Sequence, residues 1–430
     1  MPSSPTTPSR RTALTLLAGT AAALALGAPV AQAGTAHRPH PFGRHGSPAR
    51  RRDPRTLYVD PYGRGDHTDV QSAVDATTAT SAAGTGTGTG TGAGAGTGKG
   101  TATGRTIVIA PGVYRATVLI GPAHAGLTLI GASGDARDTV LVYDNAAGTP
   151  TPDGTGTLGT SGSASVTVQA AGFTARDLTF ANDWLRSDNP EYTGTQAVAI
   201  KVQGDRSAFY RCRFLGHQDT LYADSLALTA FARHYYRDCY VEGDVDFVFG
   251  RATAVFDRCH FRALTRTDLA SAPYGFVFAP STAGPNPYGF LVLRSRVTST
   301  APDAYYKLAR PWVPSSDLTA RPMLTVRDSH LGPGIDAVTP YATMSAGFPW
   351  QEQRFAEYRN SGPGARVTVP ANRPQLGAAE ARAHTPARWL DARDPHLPGT
   401  WGMRVGNGRS RDVGDVGDGW GVRDGQDVRG

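Results

Sequence analysis

The sequence is poor in cysteine, methionine and charge, with three cysteines, four methionines and 18% charged residues among 430. Three cysteines are too few for a disulfide scaffold, and Cys212, Cys239 and Cys259 have no zinc-ligand spacing. No Gly-x-Ser-x-Gly motif occurs, which argues against an α/β-hydrolase with a serine nucleophile. Beyond one N-terminal run, no long apolar stretch exists, so no membrane-spanning helix is expected in the mature chain.

The N-terminal run has the features of an export signal. Arg10 and Arg11 precede an apolar segment, and Ala31-Gln32-Ala33 offers a small-residue cleavage site. We therefore predict that residues 1–33 are removed and that the protein is secreted through the Sec or the twin-arginine route. Removing residues 1–33 takes away two arginines and no acid, which lowers the formal charge from +7 to +5.

A basic, exported protein can be attracted to an acidic polymer, although the charge alone fits a merely basic composition equally well. Nucleic acid is disfavoured as a partner, because the chain has no lysine- and arginine-rich stripe with interleaved aromatic residues.

Composition divides the mature chain into one folded domain and three low-complexity segments. Residues 34–54 are predicted to be a disordered leader, and residues 401–430, rich in Gly, Asp and Arg, a disordered tail. The Gly-Thr repeat at residues 84–104 is predicted to be a flexible loop. The folded domain is expected to span residues 55–400.

Within that domain, short apolar or alternating runs of strand length are bounded by Gly, Asp, Asn or Pro, and helical periodicity is scarce. A small or apolar residue followed two positions later by a large apolar one recurs at spacings of 34, 27, 20, 36 and 34 residues. The pairs are Leu178/Phe180, Cys212/Phe214, Cys239/Val241, Cys259/Phe261, Ser295/Val297 and Ser329/Leu331. This uneven period predicts an all-β solenoid with loops of different length, a β-sandwich or propeller being the alternative. The cysteines would then stack in adjacent coils, or two of them would form a disulfide.

Two aspartates share one phase of the repeat. Asp219 follows Cys212 by seven residues, and Asp246 follows Cys239 by seven. Adjacent strands lie about 4.8 Å apart, so we expect the two carboxyl groups to be neighbours with split pKa values. One ionised and one protonated carboxyl group at the same pH suit nucleophilic ester cleavage with a general acid.

Around these aspartates the sequence resembles the pectin methylesterase family of carbohydrate esterases. Five segments agree in order over roughly residues 55–370: Gln196-Ala197-Val198-Ala199-Ile200, Gly216-His217-Gln218-Asp219-Thr220-Leu221-Tyr222, Gly243-Asp244-Val245-Asp246-Phe247-Val248-Phe249-Gly250, Leu308-Ala309-Arg310-Pro311-Trp312, and Phe355-Ala356-Glu357-Tyr358 with Asn360 to Ala365. The resemblance implies a right-handed parallel β-helix, a methylated polygalacturonate (pectin) substrate, and a reaction without a metal or other cofactor. A monomer is expected for a solenoid acting on a long polymer.

The resemblance also implies roles. Asp246 would attack the ester carbonyl, and Asp219 would act as general acid and then base. Gln196 and Gln218 would donate to the oxyanion, and Arg310 would orient Asp246 and lower its pKa while that of Asp219 is raised. The substrate groove would be lined by Tyr222, Phe249, Trp312 and Val245.

Other interpretations of these residues remain open. Arg310 could form a structural ion pair, Gln196 and Gln218 an interior amide ladder, and Trp312 a packing contact. Asp244 and Glu242 are interpreted as solvated loop acids.

Alternative functions are a polysaccharide lyase or glycoside hydrolase on the same solenoid, a non-catalytic carbohydrate-binding solenoid, and a related branch that acts on acyl thioesters. That branch tends to lose the aspartate of the Gly-x-Gln-Asp-Thr segment. Because Asp219 is present here, pectin is the favoured substrate.

Overall fold

The computed structural model describes residues 53–82 and 105–391. The predicted export signal, the Gly-Thr loop and the C-terminal tail lie outside the described residues, as do nearly all of the predicted leader and the last residues of the predicted domain. The regular secondary structure of the described part is mostly short strands, with six short 3₁₀ helices and four α-helices at Val70–Ala82 (α1), Gly159–Gly162 (α2), Ala378–Ala381 (α3) and Pro386–Trp389 (α4). Among the described residues, no helix is long and apolar enough to span a bilayer.

The strands follow one another at short intervals. The first thirteen are β1 (Thr56–Val59), β2 (Thr106–Ile109), β3 (Gly112–Arg115), β4 (Val118–Ile120), β5 (Thr128–Gly131), β6 (Thr139–Tyr143), β7 (Val166–Val168), β8 (Thr174–Arg176), β9 (Thr179–Asn182), β10 (Ile200–Val202), β11 (Ser207–Tyr210), β12 (Arg213–Leu215) and β13 (Leu221–Ala223). The others are β14 (Arg233–Arg237), β15 (Tyr240–Gly243), β16 (Val245–Gly250), β17 (Thr253–Asp257), β18 (His260–Ala263), β19 (Gly275–Pro280), β20 (Phe290–Leu293), β21 (Arg296–Ser299), β22 (Tyr306–Ala309), β23 (Met323–Arg327), β24 (His330–Leu331) and β25 (Arg354–Tyr358).

Successive strands of a coil belong to three different sheets. The orders are β1-β2-β5-β8-β11-β14-β17-β20-β23-β25 in the ten-stranded sheet, β3-β6-β9-β12-β15-β18-β21-β24 in the eight-stranded sheet and β4-β7-β10-β13-β16-β19-β22 in the seven-stranded sheet. The paired strands are parallel. The fold is a right-handed parallel β-helix, which confirms the predicted solenoid.

The sequence repeat corresponds to the register of the eight-stranded sheet. Phe214 is paired with Phe180 on one side and Val241 on the other, and the ladder continues through Phe261, Val297 and Leu331. The three cysteines are buried, unpaired thiols at the preceding interior position, so the stacking interpretation is confirmed over the disulfide.

Aromatic rings stack inside the coils because the parallel register places like residues above one another. Phe209, Tyr236 and Phe256 are register partners in the ten-stranded sheet. Their ring centroids are 5.0 and 4.7 Å apart, and the planes are within 13° of parallel. All three side chains are fully buried, so this stack fixes the spacing of the coils that carry Asp219 and Asp246.

Replacing Phe256 by Ala should lower the free energy of unfolding by about 3–5 kcal/mol, because it leaves a large cavity between the Tyr236 ring stacked on it and the edge-on rings of Phe261 and Phe290. Urea unfolding followed by circular dichroism measures the loss. The control is Val113→Ala, since Val113 is 63% exposed and its truncation should cost under about 0.5 kcal/mol. Equal midpoints for the two variants would contradict this account of the core.

Candidate active site

The outer face of the seven-stranded sheet carries an apolar aromatic cluster. The rings of Tyr222 and Phe249 are register partners and stack with their centroids 4.2 Å apart. Trp312 lies against both, at 6.1 and 5.7 Å. Tyr222 and Phe249 are buried, whereas Trp312 is half-buried, so Trp312 is the ring of the three that offers the larger surface to a ligand.

Asp219 and Asp246 lie beside this cluster on adjacent coils. Leu221 is paired with Val248, and each aspartate precedes its partner of that pair by two residues. The backbone N–H of Asp219 donates to the Val245 carbonyl oxygen at 3.0 Å. Both aspartate side chains are buried, and the strand pairing and this hydrogen bond place the two residues next to each other on neighbouring coils, as the spacing predicts.

A bulge in β16 sets the direction of Asp246. Val245 is paired with Phe276 and Val248 with Phe278, so β16 has one residue more than β19 between these two pairs. Asp246 occupies the bulge with φ 50°, and Asp219 has φ 67°. A left-handed backbone costs a residue with a side chain about 1–2 kcal/mol, and bulges commonly re-aim a side chain next to an active site.

Arg310 clamps the Asp246 carboxylate from two strands away. Its Nε donates to Oδ1 at 2.9 Å and its Nη2 to Oδ2 at 2.6 Å, while its guanidinium lies 3.9 Å from the centroid of the Phe276 ring. Such a fork fixes both the charge and the orientation of a carboxylate, which a lysine could not do.

The pKa values of both aspartates are raised. Burial raises the pKa of Asp219 well above its usual range, and the charge of Asp246 raises it further. Burial also raises the pKa of Asp246, against the hydrogen bonds from Arg310, which lower it. The expectation of a lowered pKa for Asp246 is therefore wrong, because the loss of hydration outweighs Arg310. The pKa of Asp219 is still raised more than that of Asp246, since only Asp246 is clamped by a guanidinium.

Gln218 has a defined orientation. Its Oε1 accepts hydrogen bonds from Thr195 Oγ1 at 2.7 Å and from Arg186 Nη2 at 3.3 Å. Because the Arg186 guanidinium can only donate, the amide oxygen must face it, and the NH₂ group is left to donate elsewhere. These contacts differ from the amide ladder considered above.

Gln196 is adjacent to Gln218. The backbone N–H of Ala197, the residue after Gln196, donates to the Gln218 carbonyl oxygen at 3.1 Å. The Gln196 side chain is half-buried and forms no hydrogen bond within the described part of the chain. Both amides can therefore donate to a bound ligand.

Sequence reasoning missed an ion pair next to Gln218. Asp244 is 1% exposed and accepts two hydrogen bonds from Arg186, at 2.7 and 2.9 Å, and His217 Nδ1 lies 3.1 Å from its Oδ2. The interpretation of Asp244 as a solvated loop acid is wrong, while Glu242 is partly exposed. Asp244 could have been suspected because it precedes Asp246 by two residues, but no pattern marked Arg186.

No group of three or more His, Cys, Asp or Glu side chains that could hold a metal ion occurs within residues 53–82 and 105–391. The chemistry available at this site is that of two unequal carboxyl groups, a guanidinium clamp and two amide donors. Together these groups can attack a carbonyl carbon, stabilise the resulting oxyanion and protonate a leaving group.

The pectinesterase family model matches residues 61–393. A pectinesterase of Ralstonia solanacearum is 31% identical over 334 residues, covering 70% of this chain and 78% of that protein. The pectin methylesterase of Erwinia chrysanthemi superposes with a TM-score of 0.64 at 28% identity, covering 79% of this chain and 98% of that one. For the carrot pectin methylesterase the TM-score is 0.61 at 26% identity, with 78% and 93% covered.

Replacing Asp246 by Asn should lower the pKa of Asp219, because it removes the neighbouring negative charge that helps to raise it. Carbon NMR of aspartate labelled at the side-chain carboxyl measures both titrations, and Asp219→Asn assigns the signal. The control, Asp135→Asn, removes an exposed carboxylate that pairs with Arg137 and should leave Asp219 unchanged. An unchanged Asp219 titration in Asp246→Asn would mean that the two carboxyl groups do not interact.

Proposed function

Because the chain belongs to the pectinesterase family, we propose that it hydrolyses the methyl esters of polygalacturonate, with Asp246 as nucleophile and Asp219 as general acid and base. Membership of the family makes it a carboxylic ester hydrolase. The observation that carries the assignment of roles is the unequal pair of buried carboxyl groups, of which only Asp246 is clamped by Arg310.

In the first half-reaction an Asp246 oxygen attacks the ester carbonyl carbon and forms a tetrahedral oxyanion. The amide NH₂ groups of Gln218 and Gln196 donate hydrogen bonds to that oxyanion. Its negative charge is absent from the substrate, so these hydrogen bonds are strongest in the transition state. As the C–O bond to methoxide breaks, the protonated Asp219 transfers its proton to the departing oxygen and methanol leaves. The product is an anhydride between Asp246 and the galacturonic acid carbonyl.

In the second half-reaction Asp219, now ionised, takes a proton from water as that water attacks the acyl carbonyl. Collapse of the second tetrahedral intermediate breaks the bond to Asp246, which leaves as a carboxylate and regains both hydrogen bonds from Arg310. Asp219 is protonated again, so the site returns to its starting state with one water consumed. Every step uses side chains of this chain.

The aromatic cluster gives the sugar ring a surface. Trp312, partly exposed and supported from behind by Tyr222 and Phe249, would pack against a galacturonate ring, with Val245 at the side of Asp246. The positive charge of the protein favours the partly anionic polymer. Export after removal of residues 1–33 would bring a monomeric enzyme to an extracellular substrate.

Purified protein should release methanol from highly methylated pectin. Asp246→Ala should reduce kcat at least about 10³-fold by removing the nucleophile, and Asp219→Ala about 10²- to 10⁴-fold by removing the proton donor. The control, Asp135→Ala, removes an exposed acid and should retain activity. A folded wild-type protein that releases no methanol would refute the pectin assignment, and acyl thioesters would be assayed next.

Arg310→Gln should shift both limbs of the pH profile of kcat/KM to higher pH. The acidic limb reports ionisation of Asp246 and the alkaline limb deprotonation of Asp219, and the charge of Arg310 lowers the pKa of both groups. With that charge removed, the pKa values of both aspartates rise. Arg258→Gln, which removes a matched fork to Asp238, is the control. A profile of reduced height but unshifted limbs would contradict the clamp.

A further inference from the structure

Arg186, Asp244 and Thr195 form a polar group that touches Gln218 and lies outside the reaction described above. Asp244 is almost fully buried and ionised. Burial acts to raise its pKa, but hydrogen bonds with His217 and Arg186 outweigh it and hold that pKa well below its usual value. The backbone N–H of Val245 also donates to its Oδ1 at 2.7 Å. A buried carboxylate with this many partners is a fixed anchor.

The anchor holds Arg186 in one position. Arg186 Nη1 and Nη2 donate to the two oxygens of Asp244 at 2.7 and 2.9 Å, and only 19% of the Arg186 side chain is exposed. The same Nη2 reaches Gln218 Oε1 at 3.3 Å, so one guanidinium links the anchor to the amide. The pair spans 58 residues of sequence, from the β9–β10 connection to the β15–β16 turn.

Thr195 supplies the shorter contact, with Oγ1 2.7 Å from Gln218 Oε1. A primary amide is nearly symmetric in shape, so an unconstrained Gln218 could present either its oxygen or its NH₂ group to a ligand. An amide oxygen facing an oxyanion would repel it. Arg186 makes the wrong orientation costly, because its guanidinium has no acceptor and would then face an NH₂ group, and the Thr195 hydroxyl would have to give up its role as donor.

We propose that Arg186, Asp244 and Thr195 are positioning residues that fix Gln218 with its NH₂ group toward the reacting carbonyl. This inference rests on the proposed function and names the part of the chain that maintains its oxyanion site. The backbone supports the same arrangement, since the N–H of Asp244 donates to the His217 carbonyl oxygen at 3.1 Å and ties the two segments together. Gly243 allows that approach, because a Cβ there would lie 2.5 Å from the same oxygen.

A double-mutant cycle separates positioning from a general structural role. Thr195→Val removes one donor at nearly constant volume, and Arg186→Lys keeps the charge beside Asp244 but loses the fork. Each should lower kcat on methylated pectin about 10- to 100-fold with little change in KM, because the lost interaction forms only in the transition state. In a Gln218→Ala background, neither change should lower kcat further.

Matched controls are Thr155→Val and Arg137→Lys, which alter an exposed threonine bonded to Asp153 and an exposed arginine bonded to Asp135. Both should keep the wild-type kcat. Losses that persist undiminished in the Gln218→Ala background, or single variants with the wild-type kcat, would overturn the inference. If Arg186→Lys does not fold, Thr195→Val alone completes the cycle.

A crystal structure of the Thr195→Val/Arg186→Lys variant provides a readout that does not depend on activity. The Gln218 side chain should rotate or occupy several conformations once both donors are changed. An unchanged Gln218 side chain would overturn the inference even if the wild-type protein released no methanol. Wild-type inactivity on pectin would instead count against the proposed function, so the two failures can be told apart.

Discussion

Parallel, in-register stacking of coils is the constraint on which the rest of the structure depends. In such a stack each side chain has the equivalent residue of the next coil about 4.8 Å away, so like residues meet. In the interior this places ring on ring, as in Phe209, Tyr236 and Phe256, and thiol beside thiol. The same stacking places the carboxyl groups of Asp219 and Asp246 close together, although two ionised carboxylates at that distance would repel each other. The pair of neighbouring carboxyl groups is thus a consequence of the repeat combined with burial.

Burial makes the balance of charge decisive at this site. Three carboxyl groups are buried there (Asp219, Asp244 and Asp246), and two guanidinium groups, those of Arg186 and Arg310, face them. Each guanidinium forms a fork with one carboxylate, so Asp219 is left without one, and a buried carboxylate without a cation is costly. Protonation of Asp219 removes that cost. Asp219, the proposed general acid, is therefore the carboxyl group that the arginines leave unpaired, and it keeps its proton because the two forks are occupied.

Spacing was sufficient to predict an all-β solenoid and the neighbourhood of the two aspartates, because Cys212 and Cys239 occupy equivalent positions and each aspartate is seven residues further on. The parallel β-helix itself was implied by the resemblance to the family. Arg186 could not be predicted in the same way. It lies in the irregular connection between β9 and β10, where no period applies, and its partner is 58 residues away. The direction of the pKa shift of Asp246 could not be predicted from the sequence either, since it depends on how completely the folded chain removes water from the carboxylate.

The bulge in β16 is a departure from the repeat that shapes the site as much as the repeat does. In a regular strand the side chains of β16 would alternate between the two faces, but the extra residue of the bulge and the left-handed backbone of Asp246 break that alternation and turn its side chain out of the ladder. That turn allows Arg310, which follows a strand two places along the seven-stranded sheet, to reach across Phe276 and meet the carboxylate with both arms. Asp219, Asp246 and Arg310 thus lie along four consecutive strands of this sheet, from β13 to β22, so their arrangement requires that each of these coils keep its register. The stacking that stabilises the core on the inner faces of the sheets therefore also sets the positions of Asp219, Asp246 and Arg310 on the outer face.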